Sequence, residues 1–155
     1  MQQLEATLAE QPFSKGLAPR YLGLIAECSS NVRFESGQYI FREGEEATHF
    51  YVIRHGMVSV EVSVPGQGPR IIQTIHADEA LGWSWLLPPY TWQFDSRALE
   101  LTRAIAFDSR CVREKCEADH EMGYEVLKRF FQVVSQRLQA TRLQLLDVYG
   151  NAPRS

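Results

Sequence analysis

Hydrophobic and polar positions alternate along the first half of the chain and follow a helical repeat along its last third. Residues 58–64 read Val-Ser-Val-Glu-Val-Ser-Val, which predicts a strand whose four valines face a core while Ser59, Glu61 and Ser63 face water. Glycines at positions 37, 44 and 56 stand where short strands should turn. Several short strands at this spacing predict an antiparallel sandwich or barrel rather than a parallel α/β sheet.

The remaining segments give the order of elements along the chain. Helices are predicted over 2–10 and 19–28, a hairpin loop over 65–69, a returning strand over 70–75, and two further strands over about 94–101 and 103–107. Asp108 or Ser109 can cap a short helix that runs to residue 116, and Asp119 can cap a long one that ends at Gly150. We therefore expect one domain over 1–155, with N-terminal helices (1–30), a β domain (31–107) and C-terminal helices (108–150).

The long helix carries an apolar stripe at alternating steps of four and three residues. Its positions are Leu127, Phe131, Val134, Leu138, Thr141, Leu145 and Val148. Such a stripe either covers the sheet or faces a partner helix, and its continuation along the whole helix favours the partner. We expect a parallel homodimer formed through this helix.

Composition excludes several classes of function. The formal net charge of -3 gives no global attraction to nucleic acid or to an anionic membrane. We see neither a signal peptide nor an apolar run of the roughly 18 residues that span a bilayer, so we expect a cytoplasmic protein whose three cysteines are reduced. A metal or iron–sulfur site is the weaker alternative, since the cysteines and four histidines lack ligand spacing. No nucleophile–base motif is present, and we expect no catalysis.

The tryptophan-rich segment, residues 78–99, concentrates unusual chemistry. It contains Trp83, Trp85 and Trp92, all the tryptophans of the chain, together with a helix-permissive run after Gly82. If the strand over 94–101 points its leucines inward, Arg97 and Asp95 face the core as well, while positions 96 and 98 face out. A buried arginine needs a partner, and Asp95 is the nearest candidate for an internal ion pair.

The pattern G-Q-Y-I-F-x-E-G-x5-F-Y-V-I-x-x-G-x-V-x-V over residues 37–60 resembles the cyclic nucleotide-binding domain of the Crp/Fnr superfamily. The similarity continues through Gly82, Arg97 and the long helix, and it covers about residues 13–149. The resemblance implies a double-stranded β-helix, or jelly-roll, flanked by helices. It also implies a ligand held between the sheet and the long helix.

In that family the phosphate-binding segment reads approximately F-G-E-L-A-L and, a few residues later, R-[AST]-A. This pattern is matched by Gly82, Arg97 and Ala98. Trp83 replaces the glutamate, which in the family accepts a hydrogen bond from a ribose hydroxyl. The spacer between Trp83 and Arg97 is also longer than usual. Indole has a donor and no acceptor. The resemblance implies that Gly82, Arg97 and Ala98 hold the ligand, with help from the amides after Gly82, where Ser84 lies. We expect Trp83, Trp85 and Trp92 to stack on or enclose its apolar part.

These observations predict a sensor domain that binds a small effector and passes the signal through its dimer helix to another protein. The effector would be a cyclic nucleotide or another small anion, and replacement of the glutamate predicts weak or absent affinity for cyclic AMP. One alternative is a ligand-free scaffold whose pocket is filled by its own aromatic side chains. Another is a truncated Crp/Fnr-type regulator, although no helix-turn-helix follows the long helix, so we expect no sequence-specific DNA binding.

Overall fold

The computed structural model describes residues 2–150, with the side chains of residues 2, 3 and 149 left undescribed. The helices are α1 (Gln2–Glu10), α2 (Pro19–Glu27), α3 (Ser109–Ala118) and α4 (His120–Gly150), and a short 3-10 turn covers Pro12–Ser14. The strands are β1 (Ser29–Phe34), β2 (Tyr39–Phe41), β3 (His49–His55), β4 (Met57–Val64), β5 (Gly68–His76), β6 (Ala80–Leu81), β7 (Ser96–Arg97) and β8 (Thr102–Asp108). The single-domain prediction also included residues 1 and 151–155, which lie outside the described range.

The strands pair antiparallel in three sheets. A four-stranded sheet has the order β1-β8-β3-β6, and two-stranded sheets are formed by β2 with β7 and by β4 with β5. β3 and β8 form the centre of the larger sheet, and short backbone bridges connect β4 to the chain around β7. The predicted mainly-β domain with flanking helices and a long C-terminal helix is confirmed.

The predicted strand over 94–101 is wrong in length and in the direction of its side chains. Only Ser96–Arg97 is a strand, and the flanking residues join β4 through single bridges between Glu61 and Asp95 and between Val58 and Ala98. Ser96 and Ala98 are fully buried, although alternation placed them outward, and the Arg97 side chain is 35% exposed. The chain here pairs through its backbone with β2 on one side and with β4 on the other, so neither of its edges is free.

β4 also differs from the prediction, and its pairing with β5 shifts register between Val60 and Glu61. Val58 and Val60 are buried as expected, but Ser59 and Glu61 are buried too, and the expectation that they face water is wrong. The backbone amide and carbonyl of Glu61 bond to those of Asp95 at 2.8 and 2.9 Å. The Glu61 carboxylate is paired within the protein instead of facing water, because the side chains of Ser59 and Arg97 donate hydrogen bonds to it.

Stacked aromatic rings join the sheet to α4. The Phe50 ring stacks on Trp85 at 4.4 Å and on Phe107 at 4.6 Å between ring centroids. Phe130 of α4 contacts Phe50 edge-on at 5.0 Å and Trp85 at 5.1 Å. All four side chains are essentially inaccessible to solvent. The tryptophan-rich segment, β3, β8 and α4 therefore share one core.

The long helix has two different apolar faces. Its inner face packs on the domain through Met122, Val126, Phe130 and Val133 and ends at the buried Arg137. The heptad stripe lies elsewhere on the helix, and Phe131 and Leu138 on it are 71% and 51% exposed. The alternative that the stripe covers the sheet is wrong. The side chain of Asp119 accepts a hydrogen bond from the Met122 amide at 3.2 Å, as predicted for a cap.

The turn after β6 depends on Gly82. Its φ of +94° is one that side chains with a Cβ rarely adopt, and a Cβ built there would lie 2.5 Å from the Trp92 ring. Trp92 in turn stacks on Phe41 with 3.7 Å between ring centroids. Glycine therefore allows the chain to turn after β6 with its backbone in direct contact with the buried Trp92 indole.

Two of the three cysteines form a disulfide, so the expectation of three reduced thiols is wrong. Cys28, at the end of α2, is bonded to Cys111 in α3, 83 residues later in the chain. Cys116 is free, and burial raises the pKa of its thiol to about 11. The sequence spacing could not indicate the pair, because α2 and α3 meet only through the folded β domain.

We predict that Cys28→Ser lowers the free energy of unfolding by about 2–4 kcal/mol, because the disulfide restricts the unfolded chain. Urea denaturation without reductant measures the difference, which should vanish in dithiothreitol. Cys116→Ser is the matched control and should unfold close to the wild type. Three titratable thiols in the non-reduced, denatured wild type would contradict the disulfide.

We also predict that Gly82→Ala destabilises the fold by about 2–5 kcal/mol, because backbone strain and a clash with Trp92 add together. Gly44→Ala is the control, since Gly44 has a similar φ of +88° but no atom within 4 Å of the position that a Cβ would take. It should lose only the strain contribution, about 1–2 kcal/mol. Equal losses in thermal or urea unfolding would show that the Trp92 contact does not constrain residue 82.

Candidate functional site

The tryptophan-rich segment forms turns after Gly82, and the helix expected there is absent from this described region. The segment is anchored at its far end by the chain around Gly44, where the Gly44 amide donates to the Trp92 carbonyl at 2.9 Å and the Trp92 amide donates to the Glu45 carbonyl at 2.9 Å. In its middle, Arg113 of α3 donates to the Trp85 carbonyl at 2.8 Å. A helix N-terminus that could bind a phosphate is therefore not part of the site as folded.

The three tryptophans have different environments. Trp85 is fully buried between Phe50 and Phe130, and its indole N–H has no hydrogen-bond partner within the described structure. Trp92 is buried against Phe41 and Gly82. Trp83 is partly exposed and lies 5.9 Å from the Phe94 ring. In this structure Trp85 and Trp92 belong to the core, and Trp83 is the tryptophan that a ligand can reach.

Arg97 is bound by a carboxylate that the sequence analysis did not select. The Oε1 atom of Glu61 accepts hydrogen bonds from the Nη2 and Nε atoms of Arg97 at 2.8 and 3.1 Å, and from the Ser59 hydroxyl at 2.9 Å. The Glu61 side chain is 0% exposed, and its Oε2 atom has no partner in the described structure. Removing one member of a buried ion pair commonly costs about 3–5 kcal/mol, and partial exposure of Arg97 places this pair at the lower end.

The predicted Arg97–Asp95 ion pair is wrong. Asp95 accepts a hydrogen bond from the Glu43 amide at 2.7 Å, and its Oδ1 atom lies 3.6 Å from the Nε atom of Arg42. The Arg42 guanidinium lies over the Tyr39 ring at 4.0 Å, and that of Arg97 lies 5.9 Å from the same ring. Each arginine next to Tyr39 thus has its own carboxylate.

A second arginine lies at the interface between the segment and the long helix. Arg137 of α4 donates through Nη2 to the Ala80 carbonyl, and its guanidinium lies 5.4 Å from the Trp83 ring. Its Nη1 atom is buried without a partner in the described structure. Burial lowers the pKa of Arg137 to about 10, an effect that Glu79 partly opposes. The contacts connect the start of the tryptophan-rich segment to α4.

A cavity of about 430 Å³ lies beside Arg137, between β5 and α4. Phe13, Gln73, Glu79 and Gln136 are among its lining residues. The volume falls in the range of small-molecule sites. Neither Gly82 nor Arg97 lines it, so the structure separates this cavity from the sequence-predicted phosphate position.

The structure brings together part of the predicted site. Gly82 contacts Trp92. Arg97 lies on β7, and Ala98 follows it directly. Ser84 is half-buried and forms no side-chain hydrogen bond within the described structure. Sequence analysis missed Glu61 and Arg137. An acid inside a valine-rich strand was the available signal for Glu61, and a basic residue beside the heptad stripe was the signal for Arg137. No group of three potential metal ligands occurs among the described residues.

Comparisons with known proteins agree with this architecture. The model of the cyclic nucleotide-binding domain family matches residues 31–119. Human cGMP-dependent protein kinase 2 is 35% identical over 69 residues, which are 44% of this chain and 9% of the kinase. The chain therefore spans a small part of that relative.

Two solved structures share the fold. A cyclic nucleotide-binding domain from Methylobacillus flagellatus has a TM-score of 0.79 at 13% identity, covering 99% of this chain and 85% of that one. The regulatory subunit of a cAMP-independent protein kinase A from Trypanosoma cruzi, bound to guanosine, has a TM-score of 0.72 at 23% identity, covering 99% and 52%. These similarities confirm the jelly-roll expected from the sequence. The match to the family model covers more than half of this chain, and the chain therefore belongs to the cyclic nucleotide-binding domain family.

Proposed function

We propose that the chain is a regulatory sensor domain that binds a small effector, dimerises through α4 and transmits the bound state to another protein. The observation that carries the proposal is the arrangement of α4. Its inner face shares a core with the tryptophan-rich segment through Phe130 and contacts Trp83 through Arg137. Its other face exposes an apolar heptad stripe. A change in the segment can therefore alter the position of a helix that is suited to a partner.

We propose that the effector contacts the partly exposed side chains of Trp83 and Arg97, both of which belong to the tryptophan-rich segment. Family membership supports binding of a small effector there. Binding would reorder the chain from Gly82 to Trp92 and change the contact of Trp83 with Arg137. An effector shifts the equilibrium between two conformations of the segment only as far as it binds one of them more tightly. In this proposal the cation–π contact between Arg137 and Trp83 is the interaction that differs between those conformations. We place no catalytic step at this site.

Affinity for cyclic AMP is expected to be weak for two reasons. Trp83 stands where the family has a glutamate that accepts from ribose, and the Arg97 guanidinium already binds Glu61. A phosphate would have to share that guanidinium with a carboxylate. The guanosine-bound Trypanosoma cruzi structure supports the view that a domain of this fold can hold an uncharged nucleoside.

A ligand-free scaffold is the second candidate, and the burial of Trp85 and Trp92 favours it. Both indoles fill space inside the domain. In this case α4 would present its apolar stripe to a partner without regulation by an effector. Cytoplasmic localisation stays a prediction. No described helix is long and apolar enough to cross a membrane, but disulfides are uncommon in the cytosol, so the Cys28–Cys111 bond removes part of the basis for that prediction.

Titration calorimetry tests the effector site. We predict dissociation constants for cyclic AMP and cyclic GMP weaker than about 10 µM, which corresponds to less than about 7 kcal/mol of binding free energy. In parallel, tryptophan fluorescence should change with at least one nucleoside, nucleotide or organic acid of a panel, because Trp83 is accessible. A submicromolar constant for cyclic AMP that Arg97→Ala abolishes would overturn the weak-affinity prediction. No fluorescence change with any compound would favour the scaffold.

Sedimentation equilibrium tests the dimer. We predict a dimer at micromolar concentration, because Leu127, Phe131 and Leu138 would otherwise expose a continuous apolar stripe. Leu138→Asp should produce monomers with an unchanged circular dichroism spectrum. Leu87→Asp is the control, since Leu87 is also an exposed leucine but lies outside α4. A monomeric wild type would contradict both the dimer and the signalling route.

A further inference from the structure

The ion pair between Arg97 and Glu61 is held in one geometry by its neighbours. Ser59 donates its hydroxyl hydrogen to Glu61, and the same hydroxyl oxygen accepts from the Arg97 amide at 3.2 Å. Ser96 donates to the Ser59 carbonyl at 2.7 Å. The Glu61 amide donates a hydrogen bond to the Asp95 carbonyl, and the Asp95 amide donates one to the Glu61 carbonyl. The carboxylate is therefore a fixed part of the β4–β7 contact rather than a mobile surface group.

Carboxylates balance the positive charge of the two arginines beside Tyr39. Arg97 contacts Glu61, and the adjacent Arg42 lies 3.6 Å from the buried Asp95. An incoming anion thus meets two arginines that are already paired. Like charges that share a guanidinium repel each other, and low exposure makes the repulsion stronger than in water.

Separation of the pair by a ligand is unfavourable. The Oε1 atom of Glu61 receives both hydrogen bonds from Arg97, and Oε2 has no partner in the described structure. If a phosphate drew the guanidinium away, the charge of Glu61 would remain buried with one hydroxyl contact. The exposed third of the Arg97 side chain can still meet a hydroxyl or carbonyl group of a ligand without breaking the pair.

We propose that Glu61 determines the charge selectivity of the effector site, so that the site accepts an uncharged, hydroxyl-bearing ligand of the nucleoside class and rejects the corresponding phosphate. This proposal rests on the proposed effector site and specifies its ligand. Glu61 acts as a specificity-determining residue that occupies the arginine with an internal anion.

The test compares adenosine with cyclic AMP, two probes that differ in the phosphate. Wild-type protein should bind adenosine more tightly in titration calorimetry. Glu61→Gln keeps the size of the side chain and removes its charge, so it should raise cyclic AMP affinity by about tenfold or more while adenosine affinity changes less than about threefold. Adding Arg97→Gln to this variant should abolish the gain, because the freed guanidinium supplies it.

Glu125→Gln is the matched control, since it removes a carboxylate that pairs with Arg129 on α4, outside the tryptophan-rich segment. It should leave the ratio of the two affinities unchanged. If Glu61→Gln fails to fold by circular dichroism, Glu61→Met places an apolar side chain of similar length beside Arg97 and is expected to give the same gain.

Two outcomes would overturn the proposal. A folded Glu61 variant with unchanged cyclic AMP affinity, while the wild type binds adenosine, would show that the pair is structural and would leave the effector site intact. Failure of every variant to bind either probe would also reject the nucleoside class. In that case tryptophan fluorescence with the wider panel of compounds decides separately whether any effector site exists.

Discussion

The contact of Phe130 with Phe50 and Trp85 is the interaction on which the rest of the structure depends. Phe50 belongs to the central strand β3, Trp85 to the tryptophan-rich segment and Phe130 to the long helix, so one group of rings joins sheet, segment and helix. Truncation of a buried phenylalanine to alanine typically costs about 3–5 kcal/mol. The same rings that stabilise the fold also make the position of α4 sensitive to the segment, because neither can shift without repacking the other.

Local rules were sufficient for much of the fold. Glycines at turns, alternation in β4 and the helical repeat after residue 119 predicted a mainly-β domain with a long C-terminal helix, and Asp108 and Asp119 cap α3 and α4 as expected. These features depend on neighbours in the sequence, which is why they could be predicted. The family resemblance then supplied the jelly-roll topology, which alternation alone cannot distinguish from other antiparallel folds.

The site was predicted less well, because its partners come from distant parts of the chain. Side-chain alternation predicted Asp95, two residues away, as the partner of Arg97. In the folded protein the partner is Glu61 of β4, which lies 36 residues earlier in the chain. Alternation assigned Glu61 to water since it assumes that only one face of a strand is covered. At Glu61 this assumption fails, because the register of β4 shifts between Val60 and Glu61 and the Arg97 side chain pairs with the carboxylate. The Cys28–Cys111 pair was missed for a similar reason, as only the closed β domain brings α2 and α3 together.

The disulfide has a consequence for how the molecule is connected. It closes a covalent ring that contains every strand of the described structure, with both ends of the chain leaving from neighbouring points on the ring. A single backbone cut in any loop between residues 29 and 110 would therefore leave one covalently joined molecule, with α1 and α4 still attached to each other. The disulfide therefore connects α2 to α3 directly, and the β domain is a covalent loop that begins and ends at this bond.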